Sequence, residues 1–457
     1  MRSASFVMTC VCAALLSACA NLAPDYTRPA LPVAATVDGG GVTSSAVNAS
    51  QWERVVTDGR LKKTIELALI NSRNLRIAVL NIQKARAQYQ IDDAARYPAL
   101  SATVSETSTA SGSTITRKFA AGLGVTAYEI DFFGRLANLK DASLESFLAM
   151  EATQRSVRIS LVAEVATAWL TLASNQDLLK LARETLESRS ATLDLTRKRQ
   201  TLGSASQLTV AQAQAATETA RGDVARYIAL VEQSKNALNL LAGTSVPADC
   251  LPSSDSGIGA SALALLEVPA GLSSEILLRR PDVLSAEHAL IGSHASIGAA
   301  RAAFFPSISL TGSFGSASST LETLFESSTR AWTFVPTISL PIFNAGKLSA
   351  ALTVAEVTRD IQVATYEKTI QMAFREVADA LAERQSLAER MAAQQAEVDA
   401  YASALRLSME RYRAGADSYL TVLDSQRSLY SSQKSLIALQ LSEQSNRMTL
   451  FKVLAGE

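Results

Sequence analysis

Residues 199–210 read RQTLGSASQLTV, and residues 411–422 read RYRAGADSYLTV. Six positions recur at one spacing: Arg199, Gly203, Ser206, Leu208, Thr209 and Val210 against Arg411, Gly415, Ser418, Leu420, Thr421 and Val422. Each segment lies between two runs almost free of helix breakers. Residues 135–202 and 347–414, ahead of the two glycines, contain neither Gly nor Pro, and residues 204–242 and 416–455, behind them, are broken only by Gly222. Apolar side chains in the long runs recur at helical spacing, as Ile159-Val162-Ala166-Leu170 and Ile370-Phe374-Val377-Leu381. At 1.5 Å per residue, each long run makes a helix of roughly 100 Å. Such a helix cannot bury its apolar stripe alone, so the pattern predicts a return helix packed on it as an antiparallel coiled coil. Gly203 and Gly415 supply the reversals, and Ser206 and Ser418 stand where the return helices need N-caps.

The repetition extends outward. Residues 74–101 (NLRIAVLNIQKARAQYQIDDAARYPALS) align with residues 282–309 (DVLSAEHALIGSHASIGAARAAFFPSIS) at one offset, through Ala78/Ala286, Ala87/Ala295, Ala94/Ala302 and Pro98/Pro306. Phe133-Gly134-Arg135-Leu136 aligns with Ala345-Gly346-Lys347-Leu348. The chain is therefore one unit written twice, residues 61–243 and 274–457, joined by a Pro/Ser/Gly-rich linker at 244–273. Ahead of each long helix, apolar and small polar residues alternate with period two, in residues 100–105, 119–128, 308–314 and 332–342. These are four strands in two hairpins, with residues 105–118 and 315–330 expected as exposed loops. Near ten residues long, with one apolar and one small polar face, they match transmembrane β-barrel strands. Four strands cannot close a barrel, and open edges are not tolerated in lipid, so several chains must build one barrel together.

Composition narrows the function. Lys plus Arg and Asp plus Glu number 43 each, so no basic field draws the chain to nucleic acid. The two histidines, His288 and His294, are six residues apart and do not share a helical face, which leaves little for a zinc site or a histidine-based triad. No nucleophile, base and orienting group cluster, so no enzyme activity and no cofactor are expected. Gly122-Leu123-Gly124-Val125-Thr126-Ala127 formally fits a dinucleotide fingerprint, but it lies inside an alternating strand, where the small residues leave space in a barrel lumen. Gly222 is read as a close approach of helices, and the two histidines as packing or helix-surface residues.

The N-terminus gives the compartment. Arg2 precedes an apolar run from Phe6 to Leu16, too short to span a bilayer and suited to a signal peptide over residues 1–18. Leu16-Ser17-Ala18-Cys19 resembles the bacterial lipobox, which implies S-diacylglycerol and N-palmitoyl groups on Cys19; Ala20 in place of Asp favours the outer membrane. Residues 19–60 are then expected as a lipidated, extended segment. Removal of Cys10 and Cys12 with the signal leaves only Cys250 besides Cys19, so no disulfide framework exists.

Further residues carry a family resemblance: Ala23-Pro24-Asp25-Tyr26-Thr27-Arg28-Pro29, Leu278-Arg279-Arg280-Pro281-Asp282-Val283, Ala303-Phe304-Phe305-Pro306-Ser307-Ile308, Leu340-Pro341-Ile342-Phe343, and Arg411-Tyr412 through Asp424. Over nearly the whole mature chain the sequence resembles the outer membrane factor family, the channels of RND-type tripartite efflux pumps, in its lipoprotein branch. The resemblance implies a mainly α protein with a transmembrane β-barrel, a homotrimer whose twelve strands form one barrel continued by a periplasmic α-barrel. It implies a periplasmic adaptor and an inner-membrane pump as partners. It also implies that the helical tips form a closing end, with Arg411, Tyr412, Leu420 and Asp424 as pore gate. Three-fold symmetry would make Asp424 a ring of carboxylates that attracts cations. Only the second copy carries these markers, since Tyr412 faces Gln200 and Asp424 faces Gln212. Gly203, Ser206, Gly415 and Ser418 are the expected adaptor contacts. The competing reading is a structural coiled-coil lipoprotein that conducts nothing.

Overall fold

The computed structural model describes residues 21–37, 52–253, 257–258, 262–264 and 272–455. The expected signal peptide and Cys19 lie outside these residues. The chain opens with β1 (Thr36–Val37), α1 (Trp52–Val55) and α2 (Gly59–Asn71). The first copy continues as α3 (Arg73–Ala94), β2 (Leu100–Ser111), β3 (Thr114–Ile130), α4 (Arg135–Thr201) and α5 (Gln207–Ala242). After β4 (Leu272–Ser273), the second repeats that order as α6 (Pro281–Ala302), β5 (Ser307–Ser318), β6 (Arg330–Ser339), α7 (Lys347–Arg413) and α8 (Tyr419–Leu454). Residues 19–60 are not extended throughout. Trp52 and Val55 are buried in α1, and Asp58 caps α2 by accepting from the N–H groups of Arg60 (2.7 Å) and Leu61 (3.0 Å).

The long helices α4 and α7 fill the two Gly- and Pro-free runs to within a residue. Their ends are set by glycines with positive φ: Gly134 (70°) and Gly346 (86°) before them, Gly203 (78°) and Gly415 (76°) after them. Return helix α5 is capped as expected, Ser206 Oγ accepting from Thr209 N–H at 3.1 Å. Ser418 occupies the same place before α8, but its hydroxyl makes no capping bond. Among the described residues of its own chain Gly222 marks no close approach, because a Cβ there would meet nothing within 4 Å.

The chain divides into two compact units. One gathers residues up to Ala30, Leu80–Ala152 and Leu284–Lys368. Its sheet is fully antiparallel in the order β2-β3-β5-β6, so the hairpin of one copy pairs with the hairpin of the other. The expected loop at 105–118 is mostly strand: β2 runs to Ser111 and β3 resumes at Thr114, leaving Gly112 (φ 61°) and Ser113 as the turn. The expected loop at 315–330 shrinks to 319–329, ending in a single 3-10 turn. Small and polar residues fill both places, Ser and Thr over 105–111 and Gly-Ser-Ala-Ser over 315–318, which hides the period of two while still suiting a strand with water on a face. β6 in turn stops at Ser339, leaving Leu340 to Phe343 as exposed chain ahead of α7.

Gly122 and Gly315 face each other across the seam between β3 and β5. A Cβ on Gly122 would lie 2.7 Å from the Phe314 carbonyl oxygen and 2.9 Å from Gly315 Cα. Close contact of the two backbones, rather than lumen space alone, therefore requires these glycines. In the same unit, residues 21–30 form a strap along α6. Arg28 grips the Glu287 carboxylate with two bonds (Nε–Oε1 2.7 Å, Nη2–Oε2 2.9 Å), and the Tyr26 hydroxyl donates to Oε1 at 2.9 Å. Arg301 donates to the Leu22 carbonyl at 3.3 Å, and Gly298 makes room for Ala23. Burial and the Glu287 carboxylate both push the Tyr26 hydroxyl well above its usual pKa. His288 donates to or accepts from Glu145 at 2.7 Å, and His294 meets the Tyr26 ring edge-on, both as packing residues.

The other unit comprises Leu31–Val79, Thr153–Val283 and Thr369–Glu457. Its core joins Leu61, Ile65 and Ala68 of α2 to Val162, Val165, Ala166 and Leu170 of α4, Leu238 of α5 and Phe451 of α8. β1 pairs with β4. The linker is pinned at Cys250, whose carbonyl accepts from Trp169 Nε1 (2.9 Å) and Thr64 Oγ1 (2.8 Å), and at Ile258, whose N–H reaches Asp177 at 2.6 Å.

Candidate gate and docking tip

The two reversals have the same backbone. Ser204 N–H reaches the Arg199 carbonyl (2.8 Å) and Gly203 N–H the Gln200 carbonyl (2.9 Å); Ala416 and Gly415 reach Arg411 (2.9 Å) and Tyr412 (3.1 Å) in the same way. This is the Schellman closure, which requires a left-handed residue and so selects Gly. Nothing lies within 4 Å of a Cβ built on Gly203 or Gly415, so backbone conformation alone demands them.

Side chains make the tips different. In the second, Arg411 forms a fork with Asp417, Nε to Oδ2 at 2.6 Å and Nη2 to Oδ1 at 3.0 Å. The guanidinium holds the Asp417 carboxyl below its ordinary pKa, and the carboxylate raises Arg411. In the first, position 205 is Ala, so Arg199 has no matching acid and its guanidinium lies 5.1 Å over the Tyr412 ring instead. Tyr412 also tilts against Tyr419, with centroids 5.6 Å apart. Below them, Leu193, Val210 and Ala213 of the first hairpin pack with Tyr419, Val422 and Leu423 of the second. Gln200 bonds across its own tip to Gln207.

Of the expected gate residues, the structure brings Arg411 and Tyr412 into this knot and leaves Leu420 and Asp424 on the exposed face of α8. Asp424 faces Arg427, at 3.6 Å. Of the expected adaptor contacts, Ser206 and Ser418 are exposed, and so are Leu202 and Leu208 beside Gly203. Sequence reasoning missed Asp417 and the tie from Arg199 to Tyr412. The first could have been found by asking where the copies differ, since Asp417 faces Ala205 just as Asp424 faces Gln212.

Residues 64–244 and 272–456, one segment in each copy, match the family described as outer membrane efflux protein. The chain belongs to the outer membrane efflux protein family. Relatives in that family include the probable efflux pump outer membrane protein TtgC of Pseudomonas putida, 44% identical over 99% of this chain and 95% of its own length. The cation efflux system protein CusC of Escherichia coli is 42% identical over 97% of this chain and 98% of its own. Among solved structures, CusC superposes with a TM-score of 0.87 at 41% identity, covering 96% of this chain and all of that one. The open state of the MtrE outer membrane channel of Neisseria gonorrhoeae gives 0.86 at 36% identity, covering 96% and 98%. As an outer membrane efflux protein, the chain shares with these channels an antiparallel sheet joined to long helical hairpins.

Proposed function

We propose that this protein is the outer-membrane channel of an RND-type tripartite efflux system, through which drugs or other toxic compounds delivered by an inner-membrane pump cross passively. The observation that carries the reading is the pair of open edges on the four-stranded sheet, β2 and β6, both exposed along their whole length. Strand direction alternates β2 up, β3 down, β5 up, β6 down, so β6 of one chain meets β2 of the next in antiparallel sense, and copies close a ring. Three copies give a twelve-stranded barrel, within the range of such barrels. Exposed apolar residues such as Leu100, Val104, Trp332, Phe334 and Ile338 suit contact with lipid.

Acyl chains on Cys19 anchor the mature protein, and the strap along α6 ties the following residues to the fold. Arg411, Tyr412, Leu420 and Asp424 close the tip. Gly203, Ser206, Gly415 and Ser418 meet the periplasmic adaptor. Conduction needs no catalytic step.

The test is single-channel conductance in planar bilayers, comparing wild type with the double variant Asp424→Ala, Tyr412→Phe. A larger conductance or a weaker cation preference in the variant supports both channel and gate. A conducting wild type with an unchanged variant removes the gate assignment. No conductance from inserted, folded trimers leaves a structural lipoprotein.

A further inference from the structure

About 16 Å along α8 from Tyr419, roughly three helical turns in, Tyr430 is buried among groups from the other hairpin. Its hydroxyl donates to Asp223 Oδ2 of α5 at 3.0 Å. The Arg189 guanidinium of α4 lies 5.6 Å from its ring centroid, and Lys434 of its own helix lies 4.7 Å from the same ring. Asp223 is held in turn by Arg226 at 3.2 Å, and Arg226 donates to the Tyr227 hydroxyl at 2.8 Å. Arg189 itself is buried and bonds the Ala216 carbonyl at 2.9 Å, while Thr217 Oγ1 donates to the carbonyls of Ala213 (2.9 Å) and Arg189 (3.3 Å). These contacts stitch α4 to α5 at the level where α8 is tied on.

Arg189 Nε is buried without a partner, and the Gln426 side-chain oxygen, one turn before Tyr430 on α8, is too. A buried cation satisfied on one side and a π face is costly to keep. Between this level and the tip, the hairpins touch through apolar packing and the ring stack of Arg199 on Tyr412, whereas Tyr430 brings a charged hydrogen bond and a cation on its face.

The geometry points to Tyr430, held by Asp223 and Arg189, as a hinge pin of the second hairpin: opening swings only the segment between Tyr430 and Gly415, and α8 beyond the pin stays on the first hairpin. This rests on reading the tip as the moving end. It makes Tyr430 a positioning residue, since it touches no cargo and acts by limiting how far the gate residues travel.

The experiment is hydrogen–deuterium exchange on the full-length protein in lipid nanodiscs, with conductance measured in parallel on the same samples. The variants are Asp417→Asn, Tyr430→Phe, both together, Asp223→Ala, and Asp223→Asn, which keeps an acceptor oxygen. With Asp417→Asn alone, faster exchange is expected to stop before Tyr430. Adding Tyr430→Phe or Asp223→Ala is expected to speed exchange about tenfold in the turns beyond it, residues 431–440, while Asp223→Asn restores most of the protection. Exchange in 431–440 that is the same with and without Tyr430→Phe overturns the pin. So does faster exchange spread evenly along α4, α5 and α8, the mark of general loosening. Unchanged conductance in every variant counts against the gate reading alone, since exchange still reports on the pin.

Discussion

Arg411 and Asp417 face each other across the reversal of the second hairpin and join through two parallel hydrogen bonds, 2.6 and 3.0 Å long. The fork spans the turn, so it fixes the end of α7 relative to the start of α8. It also has a defined response to acid. Asp417 is depressed below the ordinary aspartate value of 3.8 by Arg411. A depressed carboxyl contributes its stabilisation above its free value and loses it only as pH falls through the lower, folded one. The fork's contribution to tip closure is therefore expected to be complete from neutrality down to about pH 4 and to be lost in stronger acid. Conductance recorded against pH checks this: wild type should stay flat and then rise in strong acid, while Asp417→Asn should show the raised value throughout. A rise centred near pH 6 would assign closure to another group.

Arg199 contributes through the face of Tyr412 rather than through a carboxylate. A cation–π contact near the surface is worth about 0.5–1 kcal/mol, or a two- to fivefold change in an equilibrium. Arg199→Ala is expected to raise the ratio of open to closed dwell times by that factor, and to have no further effect once Tyr412 is Leu. Additive effects of the two substitutions would show that they act separately.

The seam between β3 and β5 leaves no space for a side chain at Gly122 or Gly315. Gly315→Val should prevent formation of heat-modifiable, SDS-resistant oligomers, because the facing backbone at Ala121 and Gly122 must move. Gly222→Ala, placed in open space on a helix, should instead raise thermal resistance, by up to about 1 kcal/mol. Equal behaviour of the two variants would contradict the packing described.

The strap depends on Glu287, whose side chain is only 7% exposed beneath Arg28. Glu287→Ala leaves Tyr26 and Arg28 without their acceptor, a loss of about 1–3 kcal/mol. Chymotrypsin should then cut the mature protein after Tyr26 roughly tenfold faster than wild type. Cleavage at an unchanged rate would mean that Ala23 and Leu22, seated at Gly298 and Arg301, hold the strap by themselves.

Sequence alone disclosed the helices well, because missing Gly and Pro over 135–202 and 347–414 leaves few alternatives, and glycines end both runs. It disclosed the strands less well. Residues 105–111, with Ser and Thr on both faces, show no hydrophobic period, and only pairing with β3 reveals them as strand. At the tip, Arg411 and Tyr412 could be singled out, but Arg199 could not be paired with Tyr412 from local spacing, since the contact joins residues more than two hundred positions apart. The Ser418 cap, read from the same repeat, is not made: the residue stands at the start of α8 but its hydroxyl accepts from no helix N–H.

The strand order also sets what must be carried through the outer membrane during insertion. α3, α4, α6 and α7 all join the sheet at the same end of its strands, and the opposite end holds only residues 112–113 and 319–329. Each chain therefore threads the bilayer as two hairpins, and no folded domain has to pass. Lengthening 319–329 adds a little to the burden, because closure cost grows slowly with loop length. Adding a single strand would break parity and strand a coiled coil on the wrong side, so change in this part of the protein has to come in pairs of strands.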